Sequence, residues 1–393
     1  MAVLKLIAVF LIFIALPFGQ IGKIDIGSFA FTYFDVFVTL LVFYWLINRI
    51  LNKKKIEGLL IKPIIIFIAV GILSLLINIY SYSLSQLLVA GLYLFRFIVF
   101  SLIYFVFKDF DKNFNEKIIK YFFLSGIIIL VIGYLQFLFY PNLRNLYYLG
   151  WDEHLYRLFS TFLDPNFAGI YLVIIFFIGV YLFKKKKSLL YLVLSSFTFT
   201  GIFLTYSRTA LVFLVTSAVV FLTITKHKKF FIAFIFLILF AVVFVPKSFK
   251  TEGTNIFRTA SVNERITSMN RGLLIFADHP LFGVGFNAYR YVQEDYGFIN
   301  DESTVLIPNR AGAGVENSYI LILATEGIFG LFSYLFLLFS IAKLYLKKKN
   351  SLYANTMFSV LLGLFVSGLF INSLFYTFFL FWIFMTAGII ESS

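Results

Sequence analysis

Asn309-Arg310-Ala311-Gly312-Ala313-Gly314-Val315-Glu316-Asn317-Ser318-Tyr319 is where the chain changes character. Upstream, over residues 247–316, it reads like a soluble protein, with charges of both signs, prolines and glycines. Downstream it runs into about thirty mostly apolar residues. The rest of the chain resembles that apolar run: of 393 residues, 61% are hydrophobic and 13% charged, against about 45–50% and about 25% in soluble domains. Such a composition defines an integral membrane protein, and a single large polar insert in it is where aqueous chemistry has room.

Working outward from that junction, apolar segments fall near 3–18, 29–48, 59–79, 85–107, 118–140, 166–183, 188–206, 209–225, 230–246, 317–346, 353–371 and 374–390. Most are close to the ~17–25 residues that a spanning helix needs. The first has Lys5 ahead of an apolar run, like a signal peptide, but Ala15-Leu16-Pro17-Phe18-Gly19 offers no clear small-x-small cleavage site, so it reads as a retained helix. Alternate loops carry lysine clusters, at Lys53-Lys54-Lys55, Lys108 to Lys120, Lys184 to Lys187, Lys226 to Lys229 and Lys347 to Lys349. Positive loops stay cytoplasmic, and twelve spans with both termini inside put every cluster on one side. The expectation is an all-α polytopic membrane protein, one transmembrane domain over 1–393. A large extracytoplasmic loop, 247–316, acts as a lid, and 141–165 forms a smaller outer loop. The net charge of +14 is then an orientation signal and implies no nucleic-acid partner.

Lysine and arginine are partitioned differently. Of ten arginines, eight fall on the outer side: Arg144, Arg157, Arg208, Arg258, Arg265, Arg271, Arg290 and Arg310. Orientation alone does not require this. A guanidinium grips phosphate bidentately and keeps its charge at a lipid boundary, so the group suggests an outer site for a phosphate-bearing substrate; the alternative is pairing with the outer acids. Arg96 sits mid-span in Leu92-Tyr93-Leu94-Phe95-Arg96, where a charge costs about 2.5–3.5 kcal/mol and marks function by default; the alternative is a buried structural pair. The chain has no cysteine and three histidines, which removes thiolate chemistry and leaves no material for a His-rich metal site. Asp109 and Asp111 form an Asp-x-Asp pair, but among inner lysines, and read as solvated loop charges.

Local signals refine the outer face. Asp164-Pro165-Asn166 supplies turn and cap chemistry after Arg157. Thr205-Tyr206-Ser207-Arg208-Thr209-Ala210 is so short a connection that Arg208 must lie at the outer interface. Ser261-Val262-Asn263-Glu264 fits a capping box, starting a helix near Val262. Ile266, Met269, Leu273 and Phe276 give this helix one apolar side, with Arg265 beside it; Arg271 lies about 120° around. Glu316 opens the last long segment with Asn317 or Ser318 as its cap, and Glu326-Gly327 and Gly330 should break it, since about thirty helical residues would span about 45 Å.

Together these pieces resemble the O-antigen ligase/polymerase family of bacterial cell-surface glycan enzymes. The matching residues are Arg157 with Asp164-Pro165-Asn166, Thr205-Tyr206-Ser207-Arg208-Thr209-Ala210, Glu264-Arg265, Asp278-His279-Pro280-Leu281-Phe282-Gly283-Val284-Gly285, Glu316-Asn317-Ser318-Tyr319 and Ala324-Thr325-Glu326-Gly327-Ile328-Phe329-Gly330. The resemblance covers about residues 150–340. It implies a GT-C-type glycosyltransferase in the bacterial cytoplasmic membrane, active on the outer face. Such an enzyme is inverting, needs no metal or other cofactor, and takes a glycan from undecaprenyl pyrophosphate. Arg208 and Arg265 would be catalytic through the pyrophosphate, with Glu316 as base, where the family usually has histidine. Arg157, Arg258, Arg271, Arg310, Asn317 and Arg96 would bind substrate. The glutamate favours a polymerase, with a lipid-linked repeat unit as acceptor and a chain-length regulator as a candidate further partner. The alternatives are a ligase onto lipid A core or protein and, from another class, a flippase of lipid-linked sugars. A flippase should show two related halves, and none is visible.

Overall fold

The computed structural model of the chain describes residues 1–26, 29–149, 151–226, 254–255, 260–298 and 314–393. The apolar segment 230–246, Arg258 and Arg310 lie outside the described residues. The described chain is a helical membrane protein. Five helices are long and apolar enough to cross a bilayer: α2 (Tyr33–Leu51), α4 (Leu84–Lys108), α5 (Lys112–Phe139), α6 (Pro165–Lys186) and α10 (Ser318–Lys347). Six more are apolar but shorter: α1 (Ala2–Phe18), α3 (Ile61–Ile77), α7 (Leu189–Leu204), α8 (Arg208–Ile224), α11 (Leu352–Ser367) and α12 (Thr377–Ser392). At about 1.5 Å per residue, a helix of sixteen or seventeen residues falls short of a ~30 Å hydrocarbon core. Helix α9 (Ala260–Asp278) belongs to the polar insert. Among the described residues the one departure from all-helix is a two-stranded antiparallel ribbon, β1 (Lys23–Ile26) with β2 (Phe29–Thr32), pairing Lys23 with Thr32.

The starts of these helices are written locally. Thr32 and Asp35 form a capping box on α2, and Ser83 and Gln86 another on α4. Asp111, Asp164, Ser207, Asn317 and Ser351 cap α5, α6, α8, α10 and α11, each accepting a backbone N–H that the helix itself leaves unpaired. Helix α12 is apolar on every side and buried from Thr377 to Ile390, as expected of a helix in the middle of a bundle. It packs on α4 so closely that a Cβ at Gly388 would lie 2.3 Å from the Tyr104 carbonyl oxygen.

Residues assigned to the inner side gather at one end. Lys5 pairs with Asp111 and Arg49 with Asp109, while Lys108 lies 3.0 Å from Glu391 and Lys185 2.9 Å from Glu116. The expectation of solvated charges is therefore corrected for Asp109, while Asp111 is exposed as expected. Asp109 accepts from both Trp45 Nε1 and Arg49, and Asp111 is a helix cap, so both tie inner loops to helices.

Helix α10 is broken where its sequence suggests. Gly327 has φ 68° and ψ −162°, a conformation closed to other residues without strain. The backbone groups freed by the break are taken by the segment 280–285. Val284 N donates to Ala324 O at 3.0 Å, Gly285 N to Thr325 O at 2.8 Å, and Ile328 N to Pro280 O at 2.9 Å. Ser74 Oγ donates to the Thr325 carbonyl at 2.8 Å. Within a membrane protein such irregular backbone survives only when satisfied by protein in this way. A Cβ at Gly327 would sit 2.3 Å from the Leu281 carbonyl. Gly327→Ala should therefore cost about 1–3 kcal/mol in backbone strain alone, read as a lower unfolding temperature in detergent.

Candidate active site

Helix α9 is the element that assembles the site. It begins at Ala260, two residues ahead of the start expected near Val262. Its packed face also differs from expectation. Ile266 and Leu273 are exposed, whereas Gly272 and Ile275 are buried. Gly272 explains why: a Cβ there would lie 2.7 Å from Ile320 and 2.9 Å from Val315, so the missing side chain lets α9 press onto the start of α10. Ile275 joins Val284, Tyr289, Val315 and Ala324 in a small core beneath it. Arg265 lies two turns before Gly272 on this packed side.

That approach brings Arg265 to Glu316. Arg265 Nε donates to Glu316 Oε2 at 2.8 Å, and Nη1 reaches Thr209 Oγ1 at 3.4 Å. Ser268 Oγ, one turn further along α9, accepts from Glu316 N at 3.2 Å. The Arg265 side chain is 15% exposed and that of Glu316 49%, so the pair is set into the protein with the carboxylate facing an opening. The charge on Arg265 is close enough to act on Arg208 at the start of α8. Arg157 is buried, and its Nε donates to the Thr205 carbonyl at 2.9 Å in the same short 205–209 connection. Asp164 closes the group. Its Oδ1 accepts from Asn166 N at 2.6 Å, and its charge interacts with Arg157, Arg265 and Glu316.

The electrostatics are those of a crowded ion cluster. Burial raises the Glu316 carboxyl above the usual glutamate range, against the opposing pull of the Arg265 guanidinium; Asp164 and Glu264 add to the rise. Burial also raises Asp164, with Arg157 the largest force holding it down. The guanidiniums of Arg157, Arg208 and Arg265 gather with the carboxylates of Asp164 and Glu316, with Glu264 near enough to act on Glu316, and both Asp164 and Glu316 are shifted toward proton acceptance.

Of the residues expected in the site, Arg157, Arg208, Arg265 and Glu316 come together. Arg271 does not: it lies over the Phe298 ring at 5.3 Å. Asn317 is the cap of α10, with Oδ1 accepting from Tyr319 N and Ile320 N and Nδ2 donating to Leu369 O at 2.9 Å. Both ends of its amide are engaged in structure, as the cap that the sequence also offered. Asn317→Ala should cost about 1 kcal/mol, measurable as a lower midpoint of thermal unfolding. Arg96 lies elsewhere and has a partner: its Nε is 3.4 Å from Asp35 Oδ1. Among the other outer arginines, Arg144 pairs with Glu153 and Arg290 lies over Tyr93; pairing with an outer acid thus holds for Arg144 and, within the converging group, for Arg265 with Glu316. Asp164 and Thr209 appear in the sequence only as a cap and as parts of the motifs that carry the resemblance, and Ser268 and Gly272 carry no signal there. Among the described residues no group of three or more His, Cys, Asp or Glu is placed to hold a metal ion.

A helical membrane protein that sets three arginines against partly desolvated carboxylates has cations and a proton acceptor together in one place. Residues 190–335 match the family model Wzy_C, described as O-antigen ligase, and this supports the O-antigen ligase/polymerase family for the chain. The matched stretch contains Arg208, Arg265 and Glu316 but not Arg157 or Asp164. A search of curated proteins finds no match.

Proposed function

We propose that the protein is a polysaccharide polymerase, an inverting glycosyltransferase that moves a glycan from undecaprenyl pyrophosphate to a hydroxyl of a lipid-linked repeat unit. The observation that carries this is the Arg265–Glu316 pair at 2.8 Å beside Thr209, which sets a diphosphate-binding cation next to a proton acceptor. The acceptor oxygen attacks the anomeric carbon while its proton passes to the Glu316 carboxylate. The bond from that carbon to the phosphate oxygen breaks, and its electron pair leaves with the pyrophosphate. Arg208 and Arg265, with Arg157 behind them, take up the negative charge that develops. Arg258 and Arg310, outside the described residues, belong to the proposed binding set by the family resemblance alone. The lysine distribution supports twelve spans with both termini cytoplasmic and the site on the outer face; the bacterial inner membrane and a GT-C-type architecture are what the family resemblance implies.

A second reading within the family is a ligase that transfers the glycan to lipid A core or protein; the description of the matching family model favours it. Reconstitution with a lipid-linked repeat unit separates the readings. Longer lipid-linked chains are expected for the polymerase, and products only when lipid A core or protein is added would favour the ligase. Transbilayer movement without a new glycosidic bond would refute both and leave the flippase.

A further inference from the structure

A cavity of about 170 Å3 lies beside α10, lined from that helix by Leu321, Ile322, Thr325 and Glu326. Its walls are aromatic, with Tyr93 and Phe97 from α4 joined by Phe286 and Phe375. Phe97, Phe286 and Phe375 pack on one another with ring centroids 6.2 to 6.5 Å apart, so the wall is a braced cluster. Into this apolar surface project Arg96, Asn287, Glu326 and Asn372. A few placed polar groups in a mostly apolar cavity describe a ligand site, and ionisable groups at such depth are costly unless they serve one.

The charges define what the ligand is. Arg96 is already compensated: it faces Asp35, donates to the Ala30 carbonyl, and lies over the rings of Phe29 and Tyr93 at 5.0 and 4.9 Å. Glu326 is 2% exposed. Arg290 also lies over the Tyr93 wall, so the formal charges of Asp35 and Glu326 balance those of Arg96 and Arg290 and leave no positive surplus for an anion. What remains is hydrogen-bonding capacity. The Nδ2 of Asn287 is buried and has no hydrogen-bond partner among the described residues, a deficit worth about 1–3 kcal/mol to a ligand that fills it. The volume is several times the ~30 Å3 of a water and below the ~300–1,000 Å3 of sites for larger ligands. It suits one sugar ring.

The cavity is joined to the candidate active site through Asn372. Ser318 Oγ donates to Asn372 Oδ1 at 3.3 Å. The Nδ2 of the same residue would lie 3.7 Å from a Cβ at Gly314, two residues before Glu316.

We propose that this cavity is a saccharide subsite that takes a single neutral sugar ring of the glycan. The apolar face of the ring packs on the aromatic wall, and its hydroxyls are met by Asn287, Glu326 and Asn372. The proposal rests on the glycan-transfer reading and gives that site its specificity pocket. Its test is binding, so that it is separable from transfer. The full chain in nanodiscs is screened by saturation-transfer NMR against methyl glycosides of hexoses, 6-deoxyhexoses and N-acetylhexosamines. Undecaprenyl pyrophosphate binding is measured in parallel. At least one glycoside should bind the wild type and bind Glu326→Gln and Asn287→Gly at least about tenfold more weakly, with the lipid diphosphate bound as before. The glycine variant keeps the left-handed φ of 55° at that position and so guards against a misfolded Glu326→Gln. No glycoside bound by the wild type, or binding unchanged in both folded variants, overturns the subsite. Glycoside binding lost in the variants of a protein that forms no glycosidic bond leaves the subsite standing and sinks the transferase.

Discussion

Arg265→Ala should lower the initial rate of glycan transfer by about 10²–10³-fold, the usual effect of removing one preorganised group from a site of developing negative charge. Arg265→Lys should recover little of it. The planar guanidinium reaches Glu316 through Nε and Thr209 through Nη1 at once, and an ammonium cannot span two such directions. Initial rates with a lipid-linked repeat unit in liposomes measure both, with thermal unfolding as the folding control. A lysine variant that turns over like the wild type would falsify the bidentate role. Because α9 is held against α10 by Gly272, Gly272→Leu should mimic the loss of Arg265 by moving the helix rather than removing the charge.

Glu316→Gln should reduce transfer by about 10²–10⁴-fold, the range spanned by general acid–base groups, and should also change the form of the pH profile. A base acts deprotonated, so kcat/KM falls as pH drops through its pKa. Burial raises the Glu316 carboxyl, which places this falling limb above the ~4.3 of a free glutamate. Arg265 lowers that same carboxyl, so the residual activity of Arg265→Ala should show the limb displaced to still higher pH. The glutamine variant should lose the limb entirely. Glu316→His, which installs the residue the family usually carries, should retain much of the activity with its limb near the ~6.5 of free imidazole. An unchanged pH profile in Glu316→Gln would remove this residue from the reaction.

Where chemistry is local, the residues spoke for themselves. Asp164, Ser207 and Asn317 cap helices because their short acceptors reach the unpaired N–H groups of the next turn. The break at Gly327 was visible as a Glu-Gly pair within an apolar run. Arg265 was legible as the inward arginine of α9, since it sits next to the apolar stripe. The stripe itself misled: Ile266 and Leu273 are exposed while Gly272 is buried. Hydrophobic periodicity marks a face that avoids water. It does not say whether lipid or protein covers that face, and a glycine carries no hydrophobic signal at all.

The sequence alone determined the class of this protein, because hydropathy and lysine placement are properties of segments and need no knowledge of contacts. It also supplied the arginine surplus and the cap and break positions, which are fixed within a few residues. Only the tertiary structure decided which arginines act together. Arg157, Arg208 and Arg265 come from three separate segments, and their convergence depends on how α9 presses on α10 and how the 205–209 connection turns. It likewise decided that Arg96 faces Asp35 and that Glu316 is partly desolvated beside a guanidinium. Those facts depend on distances between residues far apart in the chain, and both Coulomb energy and desolvation are set by such distances.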